Sequence, residues 1–368
     1  MIIDLFFSLL LLSGLAAVLA LLLEIADAYL ADYGEKHILV NDEKDLLVKG
    51  GKPLLQTLSG EGIFIPSACG GKGTCAYCKV IIKEGGGPIL PTERPYLTPD
   101  ELAEGSRLSC QVKVKEDLAI QIPEELFLVK EYRAKVELLE TLTPEIKGIT
   151  IRILEPEEGI TFHAGQYVQL EVPKYKGTRG PEYRAYSICS DPEIHDRLEL
   201  VITKEPGGIV STYVHDYLQV GDELRMSGPY GDFYLRPSDR KILLIATGSG
   251  LAPMRSILFQ IAHEKIERET TLLFGAKTTQ DLYYHDELKA FEDSIPHFRF
   301  IPTLSRATNE EGWEGEKGRV TKLLERYLPE KAPFDVYICG APPMVESCLE
   351  ILIPKGIPKD RTFFDKFA

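Results

Sequence analysis

The sequence has little positive charge. Its 42 Lys and Arg residues stand against 56 Asp and Glu residues, which gives a formal net charge of −14 over 368 residues. No Lys/Arg-rich run is present, so a nucleic-acid partner, which needs a basic surface, is excluded. Cysteine is also scarce, with seven residues. A secreted disulfide framework needs a small, cysteine-dense chain, so we expect reduced cysteines in a cytosol-facing protein.

One segment has no charge at all. Residues 5–23, LFFSLLLLSGLAAVLALLL, are 19 uncharged residues, close to the roughly 20 that cross a bilayer as a helix. A signal peptide is the alternative, since ADA at 26–28 resembles a cleavage site. Asp4 and no Lys or Arg precede the run, however, and it exceeds the roughly 7–15 residues of a signal core. We therefore expect a single-pass inner (cytoplasmic) membrane protein with lipid contact through residues 5–23 and its catalytic domains in the cytoplasm.

The remaining chain changes pattern twice, which predicts a multidomain fold. Residues 1–35 are the transmembrane helix and its linker, and residues 36–126 combine short strands and helices in a compact α+β unit. Residues 127–236 read as strands separated by close turns, a pattern typical of an antiparallel β-barrel. Residues 237–368 alternate strand and helix, which predicts an α/β domain with a parallel sheet.

Four of the seven cysteines follow C-x5-C-x2-C, with the fourth after 31 further residues. They are Cys69, Cys75, Cys78 and Cys110. Four thiolates can hold a 2Fe-2S cluster with two per iron, and plant-type ferredoxins use a similar loop plus one distant cysteine. Three glycines (70, 71 and 73) allow a tight loop whose N–H groups point at a negative cluster. Structural zinc is the alternative, but it usually uses two paired knuckles, and only one C-x2-C is present.

A second motif, RAYS, suits a flavin. Arg184 can pair with a diphosphate, Tyr186 can flank an isoalloxazine ring, and the Ser187 hydroxyl can reach the flavin edge. A buried strand tyrosine is the ordinary alternative for such a short motif. A later stretch, EPGGIVSTYV, supplies small groups for a pyrophosphate. These are Gly207, Gly208, Ser211 and Thr212.

A third motif, ATGSGLAPM, follows an apolar strand and opens a helix. Gly248 and Gly250 permit backbone approach to a phosphate at the helix N-terminus. Pro253 stands where the third glycine of the G-x-G-x-x-G fingerprint would be. Near the C-terminus, YICGAPP places Cys339 and Gly340 at the end of another apolar strand.

The motif order resembles the ferredoxin–NAD(P)H reductase family, in which G-x-G-x-x-P lies under the nicotinamide dinucleotide. Over essentially the whole chain, through SACGGKGTC, PTE, RLSCQV, PEELF, RAYS, GLAPMRS and DKF, the sequence is similar to the family of F subunits of sodium-translocating NADH:quinone reductases. The resemblance implies a ferredoxin-like domain with a 2Fe-2S cluster (36–126), an FAD-binding barrel (127–236) and an NADH-binding domain (237–368). It also implies that Cys339 lies near the hydride path and that Phe367, with Phe364 second, covers the flavin.

The implied function is hydride transfer from NADH to FAD, followed by single electrons through the cluster to a partner redox protein or the other subunits of a membrane respiratory complex. Thr278 and Thr279 stand where a 2′-phosphate clamp would want arginine, which favours NADH, whereas Arg306 keeps NADPH open. Two other functions stay open: the reductase component of a membrane-associated multicomponent oxygenase, and a non-catalytic redox-sensing or assembly subunit. The intact motifs argue against the last.

Overall fold

The computed structural model describes residues 11–20, 33–175, 178, 180–307, 312–329 and 333–366. Residues 11–20 are helical and exposed. Within the described part of the chain, no helix combines the length and hydropathy needed to cross a membrane. The predicted anchor, 5–23, lies outside the described residues at both of its ends. The chain packs as two compact units, Met1–Ile65 with Gly71–Leu128, and Pro66–Gly70 with Val129–Ala368.

The first unit is a five-stranded mixed sheet with the order β2-β1-β5-β3-β4. Its strands are β1 (Glu35–Val40), β2 (Lys44–Lys49), β3 (Lys79–Glu84), β4 (Ser106–Leu108) and β5 (Leu118–Gln121). Its helices are α1 (Leu54–Gly60) and α2 (Pro99–Ala103), with 3₁₀ turns at Arg94–Tyr96 and Glu124–Leu128. The apolar residues of β1 and α1 alternate with periods of two and about 3.6, so one face of each enters a common core.

The second unit begins with six antiparallel strands in the order β10-β7-β6-β11-β8-β9. They are β6 (Lys130–Thr143), β7 (Ile146–Glu155), β8 (Tyr167–Val172), β9 (Glu182–Ser187), β10 (Arg197–Thr203) and β11 (Glu223–Tyr230). An antiparallel bridge between Ile188 and Leu200 joins the two ends of this order. Helix α3 (Ile209–Asp216) packs on β8, β9 and β10. Strand β9 was not anticipated, since its half-buried residues lack a period-two pattern.

The second unit continues as a fully parallel sheet with the order β15-β14-β13-β12-β16-β17. Its strands are β12 (Lys241–Thr247), β13 (Thr270–Ala276), β14 (Phe298–Leu304), β15 (Glu316–Lys317), β16 (Phe334–Gly340) and β17 (Thr362–Lys366). Its helices are α4 (Leu251–His263), α5 (His285–Ser294), α6 (Val320–Tyr327) and α7 (Pro342–Leu352), with 3₁₀ turns at Gly248–Gly250, Thr279–Asp281 and Lys359–Arg361. Every residue of β13 and β16 is buried, as expected of parallel strands covered on both faces.

The C-terminal aromatic segment is more ordered than an exposed tail would be. It forms the edge strand β17, and the ring of Phe363 stacks on Tyr337 with centroids 4.9 Å apart. The next aromatic residue, Phe364, is 46% exposed. Phe367, the first choice for a flavin cover, lies outside the described residues.

Candidate functional site

In the first unit the structure brings Cys78 and Cys110 together. Strand β3 starts one residue after Cys78 and pairs with β4, with Lys79 opposite Leu108. Ser109 donates from both its backbone N and its Oγ to the Cys78 carbonyl, each at 2.9 Å. The Cys78 thiol is hydrogen-bonded to the Cys110 side chain, and this bond together with burial raises its pKa well above the usual value. The two sulfurs thus form one thiol pair, the unit that binds one iron of a 2Fe-2S cluster.

The loop that carries the other two cysteines has the backbone the glycines were expected to provide. Gly70, Gly71 and Gly73 have φ of 68°, 80° and 75°, which glycine adopts without steric cost. Both Cys69 and Cys75 are partly exposed there. Among the described residues, no group of three or more His, Cys, Asp or Glu side chains is placed to hold a metal ion. The Cys78–Cys110 thiol pair and the loop with three glycines at positive φ fit a cluster held by paired thiolates.

A buried ion pair supports the strand that leads to Cys110. Arg107 and Glu93 are 5% and 0% exposed. The Arg107 Nε and Nη2 atoms donate to the two carboxylate oxygens of Glu93 at 2.9 and 2.7 Å. The remaining guanidinium N–H groups reach the carbonyls of Gly86, Gly87 and Pro88, and Glu93 also accepts from the backbone N–H groups of Leu90 and Leu108. Every donor and acceptor of the pair is therefore satisfied.

Glu93→Gln is expected to destabilise this unit by about 3–5 kcal/mol, because it leaves the Arg107 charge buried without its partner. Burial alone would raise the pKa of Glu93, but the bonds from Arg107, Leu90 and Leu108 outweigh it and the pKa is lowered. The stabilisation is therefore present above the ordinary pKa of 4.5 and is lost as the pH falls through the lowered native value. The denaturant midpoint of cluster bleaching at several pH values measures both effects. Asp45→Asn, which removes an exposed pair with His37, is the matched control and should change the midpoint little.

Strand β9 and helix α3 carry the residues predicted to bind flavin. Arg184 is half-buried on β9 and donates to the Tyr183 carbonyl at 2.6 Å. Tyr186 packs against the barrel core, and burial raises its pKa. Ser187, at the end of β9, is buried. Since α3 packs against β9, its N-terminus and the cationic Arg184 belong to neighbouring elements.

The N-terminus of α3 is formed by the predicted glycine pair. Gly208 is its N-cap residue, and a Cβ there would lie 2.5 Å from the Ser211 hydroxyl. Gly207 has φ of 72° and open space around it. The Ser211 hydroxyl already accepts from the Glu205 backbone N at 3.2 Å, whereas Thr212 contributes its backbone to the first turn. A cation and a glycine-lined helix N-terminus on two neighbouring elements are groups that suit a diphosphate.

A cleft of about 610 Å³ lies at the carboxyl ends of the parallel strands. Residues at the start of three helices line it: Gly248 and Ser249 before α4, Arg319 to Thr321 at α6, and Ala341 and Pro343 at α7. Helix N-termini favour anions, and open α/β sheets bind ligands at this edge. The cleft therefore suits a dinucleotide, and residues of the ATGSG and CGAPP motifs both line it.

The backbones of these two motifs are in direct contact. A Cβ on Gly250 would overlap the Cys339 carbonyl and lie 2.8 Å from the Gly340 N. A Cβ on Gly340 would lie 2.6 Å from the Thr247 hydroxyl. Only glycine permits this approach. The Cys339 side chain is fully buried, and burial raises the pKa of its thiol well above the usual value.

Two buried polar side chains near the glycine turn and on the following helix were missed in the sequence. The buried Tyr283 donates its hydroxyl to the Gly248 carbonyl at 2.9 Å. Arg255 on α4 is buried against Glu199, Glu287 and the Cys189 carbonyl. The only available signal was a polar residue inside an apolar stretch, GLAPMRSILF for Arg255, which does not identify the partners.

The residues that were weighed for the 2′ end of the cofactor lie beside one edge of the cleft or near it. Thr278 donates from its backbone N and its hydroxyl to Asp281, each at 2.9 Å, and closes a local cap. Asp281 and Lys277 line the cleft, and Lys277 pairs with Glu145 at 2.6 Å. Arg306 is exposed, and its backbone N bonds to the Lys277 carbonyl.

Three protein-family models match consecutive parts of the chain. Residues 39–115 match the 2Fe-2S iron-sulfur cluster binding domain, residues 133–234 the oxidoreductase FAD-binding domain, and residues 244–350 the oxidoreductase NAD-binding domain. The fold and these matches define the class: an NADH-dependent oxidoreductase that carries FAD and a 2Fe-2S cluster.

Full-length relatives define the family. The chain is 35% identical over 391 aligned positions to the F subunit of the Na(+)-translocating NADH-quinone reductase of Neisseria meningitidis serogroup C, covering 95% of this chain and 96% of that protein. The corresponding F subunit of Pseudomonas aeruginosa is 34% identical, with 96% and 95% coverage. The chain belongs to the family of Na(+)-translocating NADH-quinone reductase F subunits, which confirms the resemblance found in the sequence.

Solved structures share the fold. The Amycolatopsis cytochrome P450 reductase GcoB superposes with a TM-score of 0.73 at 26% identity, over 90% of this chain and 98% of that one. The ferredoxin reductase in carbazole 1,9a-dioxygenase gives a TM-score of 0.70 at 24% identity, over 91% and 99%.

Proposed function

We propose that this protein is the membrane-anchored electron-entry subunit of a respiratory complex of the NADH:quinone reductase type. The single observation that carries the proposal is the similarity to the F subunits of such complexes along 95% of the chain. Electrons enter from NADH, pass from FAD to the 2Fe-2S cluster and leave one at a time to other subunits of the complex. Any ion pumping belongs to those subunits.

The proposed site residues follow the predicted set. Cluster ligands are Cys69, Cys75, Cys78 and Cys110. FAD is bound by Arg184, Tyr186, Ser187, Gly207, Gly208, Ser211 and Thr212. NADH is bound by Gly248, Gly250, Pro253 and Gly340, with Cys339 and Phe367 beside the hydride path. The proposed domains are the anchor and linker (1–35), the 2Fe-2S domain (36–126), the FAD-binding domain (127–236) and the NADH-binding domain (237–368).

The cofactors supply the chemistry when bound: hydride acceptance by the flavin and one-electron transfer by the cluster. The chain's own residues bind the cofactors, orient them and screen them from solvent. The helix N-termini of the cleft bind the dinucleotide phosphates, and the contact between Gly250 and Cys339 sets how closely the two nucleotide motifs approach. Hydride transfer depends on close approach and orientation, so no general acid or base is needed among the site residues.

We further propose that residues 5–23 anchor the protein in the cytoplasmic membrane. The support is their uninterrupted apolar character, together with the helical conformation of residues 11–20. A variant that lacks residues 2–32 is expected to move from the membrane to the soluble fraction with its NADH-dependent flavin reduction intact. Alkaline carbonate extraction of the full-length protein provides the control, because it removes peripheral proteins only. Release of the full-length protein by carbonate would refute the anchor.

Purification of the full-length protein from native membranes tests the partner. Co-purification of multi-spanning redox subunits is the expected result. The second candidate, the reductase of a membrane-associated oxygenase, is favoured by the 26% identity to a cytochrome P450 reductase over 90% of the chain. Co-purification of a hydroxylase instead of multi-spanning subunits would establish that function.

A further inference from the structure

The PTE and SCQV motifs contain two polar side chains that have no role in the function proposed above. They are Thr92 and Gln111, and both lie in the first unit, which also contains Cys78 and Cys110. The Gln111 Nε2 atom donates to the Cys110 Sγ atom at 3.7 Å. The Thr92 hydroxyl donates to the Gln111 Oε1 atom at 3.1 Å. A polar chain thus runs from Thr92 through the Gln111 amide to the sulfur of Cys110.

In the structure the amide of Gln111 points its NH₂ group at the sulfur of Cys110 and its oxygen at the Thr92 hydroxyl. A cluster-bound thiolate can only accept a hydrogen bond, so the amide must present its NH₂ group to it, and the Thr92 hydroxyl then donates to the amide oxygen. Gly73, in the cysteine loop, leaves room for that group, since a Cβ there would lie 2.6 Å from Gln111 Nε2. Glycine at position 73 therefore has two effects: it leaves space for the Gln111 amide, and it allows the positive φ of the loop backbone.

We infer that Gln111, oriented by Thr92, is a positioning residue that sets the reduction potential of the cluster through a hydrogen bond to Cys110. Reduction adds negative charge to a cluster and its sulfurs, and a hydrogen-bond donor at a ligand sulfur stabilises that charge. Loss of the N–H donor should make reduction less favourable. This inference rests on the proposed role of Cys110 as a cluster ligand.

The experiment is an EPR-monitored redox titration of the full-length protein with its cluster bound. Gln111→Leu and Thr92→Val are each expected to shift the reduction equilibrium of the cluster about tenfold toward the oxidised form, which is about 59 mV for a one-electron couple. Thr92→Ser, which keeps the hydroxyl, should restore the wild-type potential. Gln56→Leu, an exposed glutamine on α1, is the matched control and should leave it unchanged.

An unchanged potential in both Gln111→Leu and Thr92→Val would overturn the inference. If Gln111→Leu does not retain the cluster, Thr92→Val decides, since it alters only the orientation of the amide: a shifted potential supports the inference and an unchanged one refutes it. Failure of the proposed ligand role has a different signature. In that case Cys110→Ala, which removes the sulfur and supplies no ligating atom, would keep the full iron and sulfide content, whatever the Gln111 variants do.

Discussion

Cys75→Ala is expected to remove the iron, the acid-labile sulfide and the visible absorbance of the cluster, and with them reduction of the partner. Reduction of FAD by NADH should survive, because the FAD- and NAD-binding domains occupy residues 133–350, separate in sequence from the cysteines. Stopped-flow bleaching of the flavin by NADH and turnover with ferricyanide measure the surviving step. Metal and sulfide analysis measures the lost one.

Cys348→Ala is the matched control for this experiment. Cys348 is also a buried cysteine, but it lies on α7 in the apolar core of the nucleotide domain. We expect full iron and sulfide content and normal partner reduction in this variant. Simultaneous loss of cluster and flavin reduction in Cys75→Ala would contradict an arrangement of separate domains in series.

Gly250→Ala is expected to lower kcat/KM for NADH about a hundredfold, a loss that a displacement of about 1 Å near the reacting groups can cause. The added methyl group overlaps the carbonyl of Cys339, and backbone atoms cannot rotate away as a side chain can. The strand end at Cys339 and the turn at Gly248–Gly250 must therefore separate. FAD content should stay normal, since the predicted flavin residues lie on other elements. Steady-state kinetics and flavin content together measure the effect.

The control is Gly180→Ala, because a Cβ at Gly180 meets no atom within 4 Å and its backbone φ is not left-handed. It should retain the wild-type kcat/KM. A Gly250→Ala enzyme with unchanged kinetics would show that the close contact between the two motifs does not position the dinucleotide.

Some strands of this protein are visible in local pattern and others are not. Strands β12, β13 and β16 were predicted because their apolar runs are continuous, and both faces are indeed buried. Strand β5 was missed because its four residues are too few to make an alternating pattern conspicuous, and β9 was missed because its half-buried residues show no alternation. The edge strand β17 was missed because its pairing with β16 is a long-range event that local composition does not encode.

Some features of the candidate site can likewise be recognised from the local sequence. The C-x5-C-x2-C spacing, the RAYS motif and the glycine turn after β12 are local, since each depends on residue types a few positions apart. The cysteine spacing predicted the 2Fe-2S cluster, and the order of the other motifs, through the family resemblance, predicted FAD and NADH; the family models support all three.

By itself, the sequence determined the kinds of chemistry this protein performs, because the spacing of thiolates and the glycines of phosphate-binding turns depend on residues that are close together in the chain. Only the tertiary structure decided which groups meet. It placed Cys78 beside Cys110, the Gly250 backbone against Cys339, and Thr92 behind Gln111. These contacts join residues that are distant in the chain, and strand register and packing fix them where local preference cannot.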